Sequence, residues 1–253
     1  MAGWGNDQLQ GPAVAGLLGR GAEARARLER PELVPARAAF EMVRAARKAV
    51  TGVRTEVVRN GPRLLVVDAF LEQGGEMIAR AHTFFVRGGI SPEDHVWTPD
   101  VSIPVPGQGV PFDEFGRCYR SESTEWSPIP GRVTSPSRKY VWQGDIGTVE
   151  GEKPTGFERV CAASDLGSAS VNWSERGAQY INADATVSIS RLPSGSGIGI
   201  AALDWSANGG VSAGAARLFD EMGPFGVVSV SAIAQTRVRV DFTPDGFALR
   251  ELL

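Results

Sequence analysis

One order of elements occurs twice along this chain, and that repetition limits the fold more than any single residue does. The first copy opens with "GPAVAGLLGRGAEARARLE", residues 11–29, in which Ala13, Val14, Leu17 and Leu18 recur at helical spacing. Pro12 suits a first turn, and Asn6 or Asp7 lie upstream as possible caps. Next come β-rich stretches, "RAAFEMVRAA" and then residues 50–89, punctuated by the hairpin signals Asn60-Gly61 and Gly74-Gly75. The second copy opens with the helix "GFERVCAASDLGS" and continues into another meander. Arg44 and Arg191 are 147 residues apart, Asn60-Gly61 and Asn208-Gly209 are 148 apart, and Phe70, Glu72 and Gly74 match Phe219, Glu221 and Gly223 at 149. Two copies without a short period mean a duplicated domain rather than a solenoid.

Between the copies, "SPEDHVWTPDVSIPVPGQGVPFDEFG" is rich in Pro and Gly and has no period. The expected organisation is an N-terminal repeat over residues 1–88, a linker or covering loop over 89–115, and a C-terminal repeat over 116–253. Short strands are expected in "RCYRSESTEW" and "SRKYVWQGDIGTVEG" ahead of the second helix.

The first helix is unusual. No charge occurs from Leu9 to Gly19, and Gly16, Gly19 and Gly21 would weaken an isolated helix by roughly 1 kcal/mol each. Glycine serves where another backbone approaches closely. A central helix wrapped on several sides is expected, its charged tail emerging at Glu23 to Arg30. The closing strand of the second copy, "VVSVSAIAQTRVRV", alternates cleanly. Val228, Val230, Ala232, Ala234, Thr236, Val238 and Val240 fall on one face, and Ser229, Ser231, Ile233, Gln235, Arg237 and Arg239 on the other.

Composition narrows the function. Length and a 42% hydrophobic content give a globular chain with a real core. A formal charge of −3 without a basic block gives no electrostatic support for a nucleic-acid partner. No apolar run is long enough for a membrane span, and the start lacks a signal-peptide pattern. Two cysteines far apart, Cys118 and Cys161, make neither a disulfide framework nor a zinc site and indicate a reducing, cytoplasmic setting. With only His82 and His95, no metal or other cofactor is expected.

A helix, a sheet that wraps it and a second copy of both resemble the double hotdog, an α+β fold of two fused repeats. More specifically, the chain resembles the acyl-CoA thioesterase II-like (TesB-like) family. "QGPAVAGLLGRGAEA" is similar to that family's first central helix and "FERVCAASDLGS" to its second. "YINADATVSISR" is similar to the strand that follows, and "GPFGVVSVSAIAQTR" to the closing strand. The resemblance implies hydrolysis of an acyl-CoA or related thioester by a water held between an aspartate, a hydroxyl residue and a glutamine. Asp165 matches the aspartate. The hydroxyl position falls on Asn182, which can still orient a water as donor and acceptor. The glutamine position falls on Ala232, or on Val230 or Ser231 if the strand slips. None of these is glutamine, and Gln235 lies on the opposite face of an unbroken strand. Fused hotdogs often pair through sheet edges, so a homo-oligomer is expected.

Each candidate also has a plainer explanation. Asp165 is either a base poised over an acyl tunnel or a helix-end acid bonded to loop amides, with Gly167 ending the helix. The Gly11 amide, at a helix start, is a candidate oxyanion donor. Gln10, within "NDQLQ", is a candidate substrate contact, though capping explains that stretch more simply. Ala232 joins Gln10 and Gly11 as a candidate substrate contact. Cys161 sits in an inward stripe and is expected to be a packed thiol. His82 is expected on an outer strand face. Trp97, Trp126, Trp142, Trp173 and Trp205 either line a pocket or pack the core. Three functions compete. They are a thioesterase, a non-catalytic acyl-thioester-binding or assembly protein that lost the glutamine, and, last, a hotdog hydratase, for which neither central helix offers a histidine.

Overall fold

The structure, a computed structural model, describes residues 7–98, 103–145, 147–235, 238–241 and 248–251, the last two segments by backbone alone. Helix α1 (Gly11–Glu29) precedes strands β1 (Val34–Met42), β2 (Gly52–Asn60), β3 (Leu64–Gln73) and β4 (Glu76–Val86). Residues 87–116 carry no helix or strand where described. Then come β5 (Arg117–Ser121), a 3-10 turn at Pro130–Val133, β6 (Lys139–Gly144) and helix α2 (Gly156–Val171). Two short strands, β7 (Trp173–Ser174) and β8 (Gly177–Ala178), lead into the second meander: β9 (Tyr180–Ile189), β10 (Gly197–Asn208), β11 (Val211–Asp220) and β12 (Gly223–Ala234). Strands β13 (Val238–Asp241) and β14 (Ala248–Glu251) pair beside β8 and β7 in a small separate sheet. No helix among the described residues is long and apolar enough to cross a membrane.

The two meanders form one antiparallel sheet of ten strands, in the order β2-β3-β4-β1-β9-β12-β11-β10-β6-β5. Strands β1 and β9 join the halves, with Phe40 opposite Ala185 and Ala38 opposite Val187, all on the buried face. The turns fall where the glycine pairs predict. Gly74, Gly75, Gly209 and Gly210 all take positive φ, which a side chain disfavours. This is the double hotdog arrangement: one sheet wraps two central helices.

The helices pack against each other through the glycines of α1. Gly11 lies against Asp165, Gly16 against Ala162 and Thr148, and Gly19 against Cys161, so α1 and α2 run antiparallel. Gly21 faces the sheet instead, against Val53 and Thr55 of β2. The helical penalty of these glycines is thereby offset by close contact that a Cβ would crowd. Phe157 of α2 is fully buried and meets Phe85 edge-on at 5.8 Å.

Several expectations change here. Gly167 does not end α2; the helix continues to Val171, and Val228 of β12 presses onto the bare Cα of Gly167. Glu23 does not emerge into solvent. It is buried, bonded by Arg27 at 2.8 Å and by the Thr155 hydroxyl that precedes α2. Asp7 does not cap α1. It pairs with Arg47 at 3.2 Å, while Gln10 occupies the cap position and its side chain makes no bond to the amides of the first turn. The alternation of β12 holds through Ala234. Asn6 and the side chains from Thr236 to Val240 lie outside the described residues. Ile103 and Val110 of the covering loop pack on Cys118, Tyr140, Trp142, Ala201 and Phe219, a cluster on the outer face of the second half.

Candidate functional site

Asp165 sits in the middle of α2, half-buried, where the antiparallel helix α1 begins. Its carboxylate lies directly against the Cα of Gly11, and a methyl group there would overlap it. As the first helical residue, Gly11 has an N–H with no intrahelical acceptor. Asn182 donates from Nδ2 to Asp165 Oδ1 at 2.9 Å. Asp165, Asn182 and Gly11 therefore come together from α2, β9 and α1.

Asn182 reaches Asp165 because β9 carries a bulge. Ser231 pairs with Asp184 and Ala232 with Asn182, leaving Ala183 as an extra, exposed residue. Below the bulge the buried residues are Ala185, Val187 and Ile189; the extra residue switches the parity and turns Asn182 toward the helix. Asp184 accepts the Ser231 N–H at 2.8 Å, which satisfies a backbone donor at the bulge. Ala232 is directly opposite Asn182 and buried. A methyl group thus occupies the position nearest the pair on the closing strand. Gln235 follows the end of β12, and its backbone N–H donates to Gln179 at 2.8 Å.

Sequence reasoning missed Arg117. It opens β5, far from Asp165 in the chain, and nothing local marks it. Its Nε donates to Gln143 Oε1 at 2.7 Å and its Nη2 to Gln10 Oε1 at 3.1 Å. Gln10 thus serves this bridge instead of the helix cap. Burial pushes the Asp165 carboxyl above the ordinary carboxylate range; the Asn182 hydrogen bond and the charge of Arg117 pull it down without cancelling that effect. The arrangement is a desolvated carboxylate and a carboxamide bonded to each other, whose remaining oxygens could hold one water beside the pair, with a cation nearby.

A cavity of about 320 Å³ adjoins the start of α1, walled by Gln10, Pro12, Arg117, Gln143, Arg159 and Ala162 among others; Asp165, Asn182 and Gly11 stand next to these residues rather than in the wall itself. Gln10 and Pro12 flank Gly11, and Ala162 lies one turn before Asp165. Other sequence candidates fall elsewhere. Cys161 is fully buried against Gly19, and burial raises its thiol well above the ordinary value, as for a packed thiol. His82 is on the outer sheet face, bonded to Asp68. Trp173 and Trp205 line a second cavity beyond the C-terminal end of α2, Trp142 packs in the outer cluster, and Trp97 is exposed.

No family model matches the chain, and no curated protein matches it by sequence. Solved structures do match in fold. A putative thioesterase II from Thermobifida fusca superposes with a TM-score of 0.66 at 14% identity, covering 92% of this chain and 90% of its own. An acyl-CoA thioesterase II, TesB2, from Mycobacterium marinum does so at 0.64 and 18%, covering 90% and 91%. A conserved protein of unknown function with a hot dog fold, from Alicyclobacillus acidocaldarius, reaches 0.67 at 16%, covering 93% and 91%. The double hotdog is thus common to all of them over nearly the whole chain.

Proposed function

We propose that the protein hydrolyses an acyl thioester, with Asp165 as general base and Asn182 orienting the attacking water. The observation that carries this is the Asn182–Asp165 hydrogen bond at the start of α1, with Gly11 leaving room for the carboxylate. Ionised Asp165 takes a proton as the water oxygen bonds to the thioester carbonyl carbon. The carbonyl oxygen becomes an oxyanion, for which the Gly11 N–H and the positive end of α1 are the candidate partners. Collapse breaks the carbon–sulfur bond, and the proton passes to sulfur, giving a carboxylic acid and a thiol. The raised carboxyl makes Asp165 a stronger base than an exposed aspartate.

The test is thiol release from acyl-CoAs of graded length, followed with a thiol reagent. Release from some member of the panel is expected; its absence across the panel would refute the proposal. Gly11→Ala provides an independent check. The added methyl displaces the carboxylate from Asn182 without parting the helices, since a side-chain end can yield where backbone cannot. Turnover is expected to fall about tenfold or more, as for a misplaced catalytic group, with the melting temperature little changed. A large drop in melting temperature would make the contact structural.

A second function, binding without turnover, is favoured by one observation: the residue opposite Asn182 on the closing strand is Ala232, which has no polar side-chain group to offer a water. Ala232→Gln separates the two. A rise in turnover is expected if the missing amide limits the chemistry. A lower melting temperature with no gain in rate would mean the position is only packed.

A further inference from the structure

We propose that the cavity beside Asp165 takes acyl thioesters whose acyl group ends in a carboxylate, and that Arg159 binds that carboxylate. The inference rests on the hydrolase proposal above and names its substrate class. Arg159 lies on the first turns of α2, lines the cavity, and exposes only 12% of its side chain. Its Nε pairs with Asp145 Oδ1 at 3.2 Å and its Nη1 donates to the Gly195 carbonyl at 3.2 Å. Its Nη2 is buried with no hydrogen-bond partner among the described residues. A buried guanidinium nitrogen without an acceptor is costly, and a small turn of the Arg159 side chain, which already lines the cavity, would bring it to a ligand carboxylate.

Charge and spacing agree with this. The chain as a whole carries −3, yet the cavity wall holds Lys48, Arg117 and Arg159 against one acid, Glu114. Asp145 offsets Arg159 in part and leaves the wall positive. Arg159, Ala162 and Asp165 follow one another at intervals of three along α2, so Arg159 and Asp165 stand about 9 Å apart along the helix axis and about a third of a turn apart around it, with Ala162 midway. Ala162 between them adds almost no bulk. A thioester carbonyl placed at Asp165 would thus send a short acyl chain past Ala162 to Arg159. The pantetheine arm of coenzyme A is too long for its phosphates to reach Arg159 along the same path. The ligand class is therefore a half-thioester of a short dicarboxylic acid.

The experiment compares succinyl-, glutaryl- and adipyl-CoA with hexanoyl-CoA as substrates of the wild type, Arg159→Met and Arg159→Lys. In the wild type at least one diacid is expected to exceed hexanoyl-CoA in kcat/KM. Arg159→Met should reduce that diacid by about ten- to a hundredfold and leave hexanoyl-CoA within a few-fold. The hexanoyl-CoA rate in the same variant reports that the fold is intact, and Arg159→Lys should retain part of the preference. Hexanoyl-CoA preferred by the wild type would overturn the inference. So would an equal loss on every substrate, which would place Arg159 on the coenzyme A phosphates. If no thioester is turned over, the hydrolase proposal fails by itself, and calorimetric binding of the same ligands decides this one. Tighter diacid binding lost in Arg159→Met supports it, and equal binding of diacid and hexanoyl thioesters overturns it.

Discussion

Asp165→Asn is expected to lower thiol release by about a hundredfold or more, the usual contribution of a positioned general base, with the variant still folded. Asparagine keeps the shape and a hydrogen bond to Asn182 but cannot accept the water's proton. An unchanged rate would move the chemistry elsewhere. The pH dependence follows from the direction of the shift. Asp165 must be ionised to act, and burial raises its carboxyl, so the acid limb of kcat/KM should lie above the ordinary carboxylate range. The same shift acts on stability with opposite benefit. An acid whose folded pKa is raised destabilises the fold as pH climbs from the unfolded to the folded value, and the cost persists at neutral pH. Asp165→Asn should therefore melt no lower than the wild type at pH 7. Loss of activity with a gain in melting temperature would be the mark of a strained functional carboxylate.

Asp220→Ala is expected to have the largest effect on stability, about 3 kcal/mol, for a buried charge pair broken from one side. Asp220 is fully buried and accepts two bonds from Arg191, at 2.6 and 2.8 Å. It also accepts the backbone N–H groups of Ser194 at 2.7 Å and Met222 at 2.9 Å. It thus ties the β9–β10 connection to the β11–β12 turn, and these strands carry Asn182 and Ala232. Arg191 keeps 31% of its side chain exposed, which holds the figure at the low end of such losses. Burial alone would raise the Asp220 carboxyl, but the Arg191 hydrogen bonds and the two amides outweigh it and leave it lowered. Its contribution is present above the unfolded carboxylate value and lost as pH falls through the lower folded value. Denaturant melts at pH 7 should show the full difference between wild type and Asp220→Ala, and melts at strongly acidic pH a smaller one. A difference that grows on acidification would contradict this assignment.

The repeat, the helices and most strands can be read along the chain, because each is a local matter. Helical spacing marked Gly11–Glu29, glycine pairs marked the hairpins, and period-two alternation marked the buried face of β12. The sequence also singled out Asp165, through the resemblance of "ASDLGS" to a known helix. What surrounds Asp165 is set by contacts between distant elements. The glycines of α1 could be read as a close-approach face, but not as the face against α2. Period-two counting on β9 would place Ala183, not Asn182, toward the helix; the bulge that reverses this is held by pairing with β12 and by Asp184. Arg117 and Arg159 reach the cavity from β5 and from α2, and no spacing along the chain relates them. Periodicity reports which face a residue occupies within its own element. Which residues from different elements share a cavity, and what charge they meet there, depends on contacts between positions more than a hundred residues apart.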